Sequence, residues 1–87
     1  MSHDKSRVEE TISALKQQRD ELALKIHLGT MEAKEEFDAA TEKLDKMAGD
    51  FQPLKDAVAE SAGNVLSSLK LVGEEVLSSF DRIRKSL

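Results

Sequence analysis

The sequence predicts an all-α fold in which two long helices form an antiparallel hairpin and two hairpins dimerise into a four-helix bundle. The composition favours helix over strand, since the 87 residues include one Pro, four Gly and only 3% aromatic residues. Apolar residues recur every three or four positions along most of the chain. One short stretch, residues 49–53, interrupts this pattern. We therefore expect a single helical-hairpin domain over residues 1–87.

The first helix is predicted to span about residues 6–48. Ser6 and Glu9 have the spacing of a capping box, in which each side chain bonds the other residue's backbone amide. From Val8 the apolar positions alternate steps of four and three residues, as in a coiled coil, with Arg19 and Gly29 in two of the positions and a stutter, an extra step of four, from Ala33 to Phe37. The apolar members of this stripe are Val8, Ile12, Leu15, Leu22, Ile26, Ala33, Phe37, Ala40, Leu44 and Met47.

Gly29 and Thr30 are the weak point of the first helix. Gly costs about 1 kcal/mol relative to Ala inside a helix, and Thr can cap a new helix. A break at these two residues would give three helices instead of two. Because the apolar stripe keeps its phase through Gly29 and no Pro or polar loop follows directly after it, we expect a continuous helix.

The turn is predicted at residues 49–53, which contain the strongest helix-ending signals in the chain. Gly49 can adopt the left-handed conformation that closes a helix, and Asp50 can cap the next one. Pro53 is tolerated in a first helical turn. The second helix is therefore expected over about residues 53–86, antiparallel to the first because the connection is short.

The second helix contains an eleven-residue repeat: the pattern of residues 65–69 (VLSSL) returns at residues 76–80 (VLSSF), and a degenerate first unit begins after Pro53. Eleven residues in three turns is about 3.67 residues per turn, which predicts a straight or gently right-handed helix. The predicted apolar stripe consists of Leu54, Val58, Ala62, Val65, Leu69, Val72, Val76, Phe80, Ile83 and Leu87.

Further leucines at positions 66, 71 and 77 lie beside this stripe and widen the apolar face beyond what one neighbouring helix can cover. We therefore expect a second copy of the chain to cover the face in a homodimer. The predicted interface consists of Leu66, Leu69, Val72, Val76, Leu77, Phe80 and Ile83.

No residue pattern indicates catalysis or cofactor binding. The chain has no Cys and no recognisable nucleophile with a base, phosphate loop or calcium loop. His27 and Met31 are four residues apart, a spacing at which two side chains on one helix face can share a soft metal ion. A third ligand is missing, so His27 at the edge of a helical core is the preferred interpretation. We expect neither an enzyme nor a bound cofactor.

The charges narrow the possible partners. Acidic residues outnumber basic ones 17 to 13, which argues against nucleic-acid binding. No leader or membrane-spanning stretch is recognisable, so a cytoplasmic location is expected. The favoured function is a non-enzymatic structural or protein-interaction module that self-associates. The alternative is a peripheral lipid-binding protein, because Arg82, Arg84 and Lys85 adjoin an apolar helix face.

Some segments also carry a family resemblance: Gln17-Gln18-Arg19-Asp20-Glu21-Leu22, Lys25-Ile26-His27-Leu28-Gly29, Gly73-Glu74-Glu75 and Asp81-Arg82-Ile83-Arg84-Lys85. In these segments the chain resembles a loose group of short, uncharacterised bacterial coiled-coil proteins. The likeness covers the first half and the C-terminal end of the chain. It implies two long helices and brings no known activity with it.

Overall fold

The structure, a computed structural model, describes the backbone of residues 2–54 and 59–87 and the side chains of residues 5–54 and 63–87. In these ranges the chain forms three α-helices: α1 (Ser2–Ala23), α2 (Met31–Phe51) and α3 (Ala59–Ser86). Short 3-10 helices at Ile26–Leu28 and Gln52–Leu54 lie in the two connections. The all-α prediction is confirmed.

The three helices run up, down and up in a bundle measuring 44 × 17 × 17 Å. α1 and α3 are parallel: Thr11 lies beside Gly73, and Gln18, further along α1, accepts a hydrogen bond from Arg84, further along α3. α2 is antiparallel to α3: Glu36 near its start pairs with Arg82, and Lys43 further along pairs with Glu75.

The prediction of one continuous helix over residues 6–48 is wrong, because the chain folds back between residues 23 and 31. α1 ends at Ala23 and α2 begins at Met31. Gly29 and Thr30 have extended backbones with ψ of 168°, and the Thr30 side chain caps α2 by accepting a hydrogen bond from the amide of Ala33. The two-helix hairpin is therefore corrected to three helices, since folding back lets both α1 and α2 pack against α3.

The predicted start of the first helix is also wrong, since α1 begins at Ser2 and Ser6 lies within it. No residue between Ser2 and Ser6 opposes a helix. The helix therefore begins before the capping-box sequence.

The predicted turn at residues 49–53 is displaced towards the C-terminus. α2 continues through Gly49 to Phe51, and Pro53 lies in a 3-10 helix rather than in the first turn of α3. No residue in the described ranges has a positive φ, so Gly49 does not take the left-handed conformation. Continuing the helix places the Phe51 ring in the core, where it is 3% exposed. Residues 55–58, including Val58 of the first predicted repeat unit, lie outside the described residues.

The buried positions of α3 follow steps of three and four rather than an eleven-residue period. Leu66 and Gly73 are buried where the prediction placed Val65 and Val72. The complete buried series in the described part of α3 is Leu66, Leu69, Gly73, Val76, Phe80 and Ile83. These steps are the heptad spacing of a left-handed packing seam, so the predicted period of 3.67 is corrected to about 3.5.

All three helices contribute side chains to one core. Leu15 of α1, Leu44 of α2 and Val76 of α3 are each no more than 1% exposed. The rings of Phe37 and Phe80 lie 6.2 Å apart between α2 and α3, within the range in which aromatic pairs attract. The core cluster consists of Val8, Ile12, Leu15, Leu22, Ala40, Leu44, Met47, Phe51, Leu66, Leu69, Val76, Phe80 and Ile83.

Candidate interaction surface

The interface predicted on the last helix lies mostly inside the bundle. Five of its members, Leu66, Leu69, Val76, Phe80 and Ile83, belong to the core, and Val72 is partly buried against it. In this fold α1 and α2 cover these residues, and their role at an interface with a second copy stays a prediction. Leu77 is the exception, with 47% of its surface exposed.

Another apolar surface lies at the end of the bundle where α1 turns into α2. Leu24 is 77% exposed, Leu28 72% and Met31 73%, more than any other large hydrophobic residue in the described ranges. Leu87, at the C-terminal end of α3, is 40% exposed at the same end. A β-carbon built on Gly29 would lie 3.0 Å from Cδ2 of Leu87, which shows that the connection and the end of α3 touch. We call these four side chains the apolar end surface.

A shallow groove of about 210 Å³ joins part of this surface to the core. Leu28 and Leu87 line it together with Leu22, and Lys25 and Arg84 contribute charged side chains. Pockets for small ligands usually enclose about 300–1,000 Å³. The groove is smaller, so its geometry fits the edge of a contact surface better than a small-molecule site.

The basic residues near the end of α3 form ion pairs or hydrogen bonds with neighbouring side chains. Arg82 pairs with Glu36 at 2.7 Å, Lys85 pairs with Asp81 at 3.1 Å, and Arg84 donates a hydrogen bond to the Gln18 side chain. All lie on the exposed side of the bundle, where an ion pair contributes at most about 1 kcal/mol. A partner could therefore displace these contacts at small cost.

Comparison with known proteins assigns the chain to no family. No protein-family model, curated protein or solved structure matches the chain. The resemblance to short bacterial coiled-coil proteins stays a prediction.

The metal hypothesis loses its geometric basis. His27 lies in the 3-10 helix and Met31 begins α2, with extended residues Gly29 and Thr30 between them. The two side chains are therefore not on one face of a helix. Among the described residues, no group of three or more His, Asp or Glu side chains is placed to hold a metal ion.

None of the described helices is long and apolar enough to cross a membrane. The lipid hypothesis relied instead on an amphipathic second helix lying flat on a surface. In the bundle, the core side chains of α3 face α1 and α2. Such a contact would rely on the exposed apolar residues, of which Leu24, Leu28 and Met31 are the most exposed among the described side chains.

Leu24 and Leu28 lie off the single apolar stripe that predicted one continuous helix, so the sequence pattern did not mark them as site residues. A signal for them was present: positions 24, 28 and 31 are spaced by four and three, a second apolar stripe beside the first. Such a stripe is uncommon on the solvent side of a two-helix coiled coil. It indicates either further packing or an exposed contact surface.

Proposed function

We propose that the chain is a non-enzymatic protein-interaction module that binds its partner through the apolar end surface. The observation that supports the proposal is the concentration of exposed apolar side chains at Leu24, Leu28 and Met31, within one connection of the bundle. Clustered exposed hydrophobic residues mark interaction sites in soluble proteins. A loop held by rigid helices is also a common position for a binding site.

Energetic considerations favour a macromolecular partner. Full burial of a Leu or Met side chain contributes about 1.5–3 kcal/mol, so three of them can supply the central contacts of an interface. The surrounding residues Glu21, Lys25, Glu32 and Arg84 carry both signs of charge, as at the polar rim of a protein interface. The partner is therefore expected to present an apolar helix face or groove with a polar border.

Self-association remains part of the proposal, in altered form. The homodimeric four-helix bundle expected from the sequence used the apolar face of α3, which α1 and α2 now cover. A dimer of intact bundles would instead join through the apolar end surface. Light scattering across a concentration series measures whether such dimers form.

The binding test compares capture of partners by the wild-type chain and by Leu24→Glu/Leu28→Glu. Both substitutions are at side chains more than 70% exposed, so folding should be preserved, as circular dichroism can check. Leu71→Glu is the matched control, because Leu71 is 63% exposed on α3 away from the end surface. A partner bound by wild type and control but lost by the double variant supports the proposal. Equal capture by all three contradicts it.

An anionic lipid surface is the second candidate, favoured by the basic residues Lys25, Arg84 and Lys85 beside exposed leucines. Co-sedimentation with vesicles containing phosphatidylserine should show binding that weakens with salt. Neutral vesicles provide the control. Absence of binding at low salt would remove this candidate and leave the protein partner.

A further inference from the structure

The connection between α1 and α2 has a second property besides its exposed leucines. We propose that residues 24–30 are a hinge through which two copies of the chain exchange α1. In the exchanged dimer the hinge is helical, α1 and α2 form one long helix, and α1 packs against α2 and α3 of the other copy. This proposal goes beyond the proposed function and does not rest on it.

The hinge sequence is compatible with a helix. The apolar stripe passes through it in phase, from Leu22 to Ile26, Gly29 and Ala33 in steps of four, three and four. Leu22 and Ala33 are buried on either side of the hinge, and Ile26 packs against the core. Residues 24–28 contain neither Gly nor Pro, so only Gly29 and Thr30 oppose a straight helix.

Local contacts hold the hinge in its bent form. Three backbone amides donate hydrogen bonds at 2.9 Å: that of Lys25 to the Leu22 carbonyl, that of Leu28 to the Lys25 carbonyl and that of Gly29 to the Ile26 carbonyl. The Thr30 cap is the side-chain hydrogen bond that begins α2. The bent form leaves little room at Gly29, because a β-carbon there would lie 3.0 Å from Leu87 Cδ2 and 3.2 Å from Ala33 Cβ, so neighbouring side chains must shift to admit it. A larger residue at position 29 and loss of the cap both favour the straight form.

Exchange buries more of each copy than end-to-end docking does. Docking of intact bundles covers the exposed parts of the apolar end surface, which are Leu24, Leu28, Met31 and Leu87. Exchange transfers the whole packed face of α1 to the partner. The core side chains of that face, Val8, Ile12, Leu15 and Leu22, would then meet the same neighbours on another copy.

Substitutions in the hinge shift this equilibrium in opposite directions. Gly29→Ala/Thr30→Ala favours the helical hinge and removes the cap, so the dimer dissociation constant should fall by about tenfold or more. Met31→Pro should abolish the dimer. Pro suits the first residue of α2 after the extended Thr30, but it breaks a continuous helix. Gly49→Ala is the control, since that glycine is helical with nothing within 4 Å of a β-carbon.

The oligomeric state is measured by light scattering after refolding the full chain at about 1 mM, where even weak dimers are populated. Wild type should contain a dimer fraction that increases in Gly29→Ala/Thr30→Ala and disappears in Met31→Pro. A double-alanine variant that stays monomeric while retaining its helicity overturns the proposal.

Cross-linking separates exchange from docking of intact bundles. Gln18→Cys/Arg84→Cys places thiols on neighbouring positions of α1 and α3, so a flexible bismaleimide cross-linker should join two copies in an exchanged dimer. Lys43→Cys/Glu75→Cys joins α2 and α3, which stay together in one copy, and should cross-link only within a chain. If the dimer fraction of the first variant contains only cross-links within a chain, the proposal is wrong and the bundles dock intact.

Discussion

The Oγ1 atom of Thr30 accepts a hydrogen bond from the amide of Ala33 at 3.1 Å, and this contact begins α2. It satisfies one of the amides that every helix start leaves without an intrahelical partner. Because the Thr30 backbone is extended, the chain can enter α2 from a direction different from that of α1. The same contact therefore caps one helix and separates it from the preceding one.

Thr30→Ala should lower the free energy of unfolding by about 1 kcal/mol, because the Ala33 amide loses its acceptor. For a domain of this size the melting temperature should fall by about 4–8 °C. Thr30→Ser, which keeps the hydroxyl, should retain most of the stability. Calorimetry of the wild type, Thr30→Ala and Thr30→Ser measures the melting temperatures. Equal melting temperatures for the wild type and Thr30→Ala would show that the cap contributes nothing.

Gly49→Ala should raise the free energy of unfolding by about 1 kcal/mol, because Ala is the better helix former and nothing lies within 4 Å of the added carbon. Urea denaturation measures the change. Had Gly49 closed α2 in a left-handed conformation, the same substitution would be destabilising. The sign of the effect therefore tests where α2 ends.

Gly73→Ala, unlike Gly49→Ala, should not raise the free energy of unfolding. A β-carbon on Gly73 would lie 3.1 Å from Met47 Cε and 3.1 Å from Thr11 Cγ2, where the three helices approach one another. Overpacking costs about 1–3 kcal/mol, which offsets the gain in helix propensity. Gly73→Leu should lose about 3 kcal/mol or more. Urea denaturation of Gly73→Ala and Gly49→Ala, measured together, separates the cost of packing from the gain in helix propensity. Equal stabilisation of the two variants would contradict the predicted packing cost.

Leu69→Asp should unfold the protein, because it buries an unpaired charge at a site that is 3% exposed. Leu77→Asp should change the free energy of unfolding by only about 1 kcal/mol, since Leu77 is 47% exposed. Circular dichroism during thermal unfolding distinguishes them. The sequence placed both residues in one interface, so similar losses for the two would favour that earlier prediction.

Thr41→Val should stabilise the protein by about 1 kcal/mol. The Oγ1 atom of Thr41 is buried and has no hydrogen-bond partner among the described residues. Replacing an unsatisfied hydroxyl with a methyl group of similar shape removes a desolvation penalty of about 1–3 kcal/mol. Thermal unfolding measures the gain, and a loss of stability would show that the hydroxyl does bond a neighbour or water.

The candidate site could be predicted less well than the helices. Most of the core residues of α1 and α2, such as Leu15 and Leu44, lie on the stripe read from the sequence. Leu24 and Leu28 do not, and their exposure depends on the fold of the connection. The choice between a bent and a straight connection depends on energies near 1 kcal/mol at Gly29 and Thr30, which neighbouring helices can reverse.

The sequence alone determined that the chain is helical, because its composition and its three- and four-residue apolar steps leave no other regular structure. Tertiary structure decided the number of helices and which side of each helix faces the core. Folding at Gly29 supplies two neighbours for α3, and their close approach favours Gly73 and Leu66 inside over Val72 and Val65. Adjacent positions differ by about 100° around a helix. Packing against two helices, rather than the hydrophobicity of the individual residues, therefore decides which of two adjacent positions faces the core.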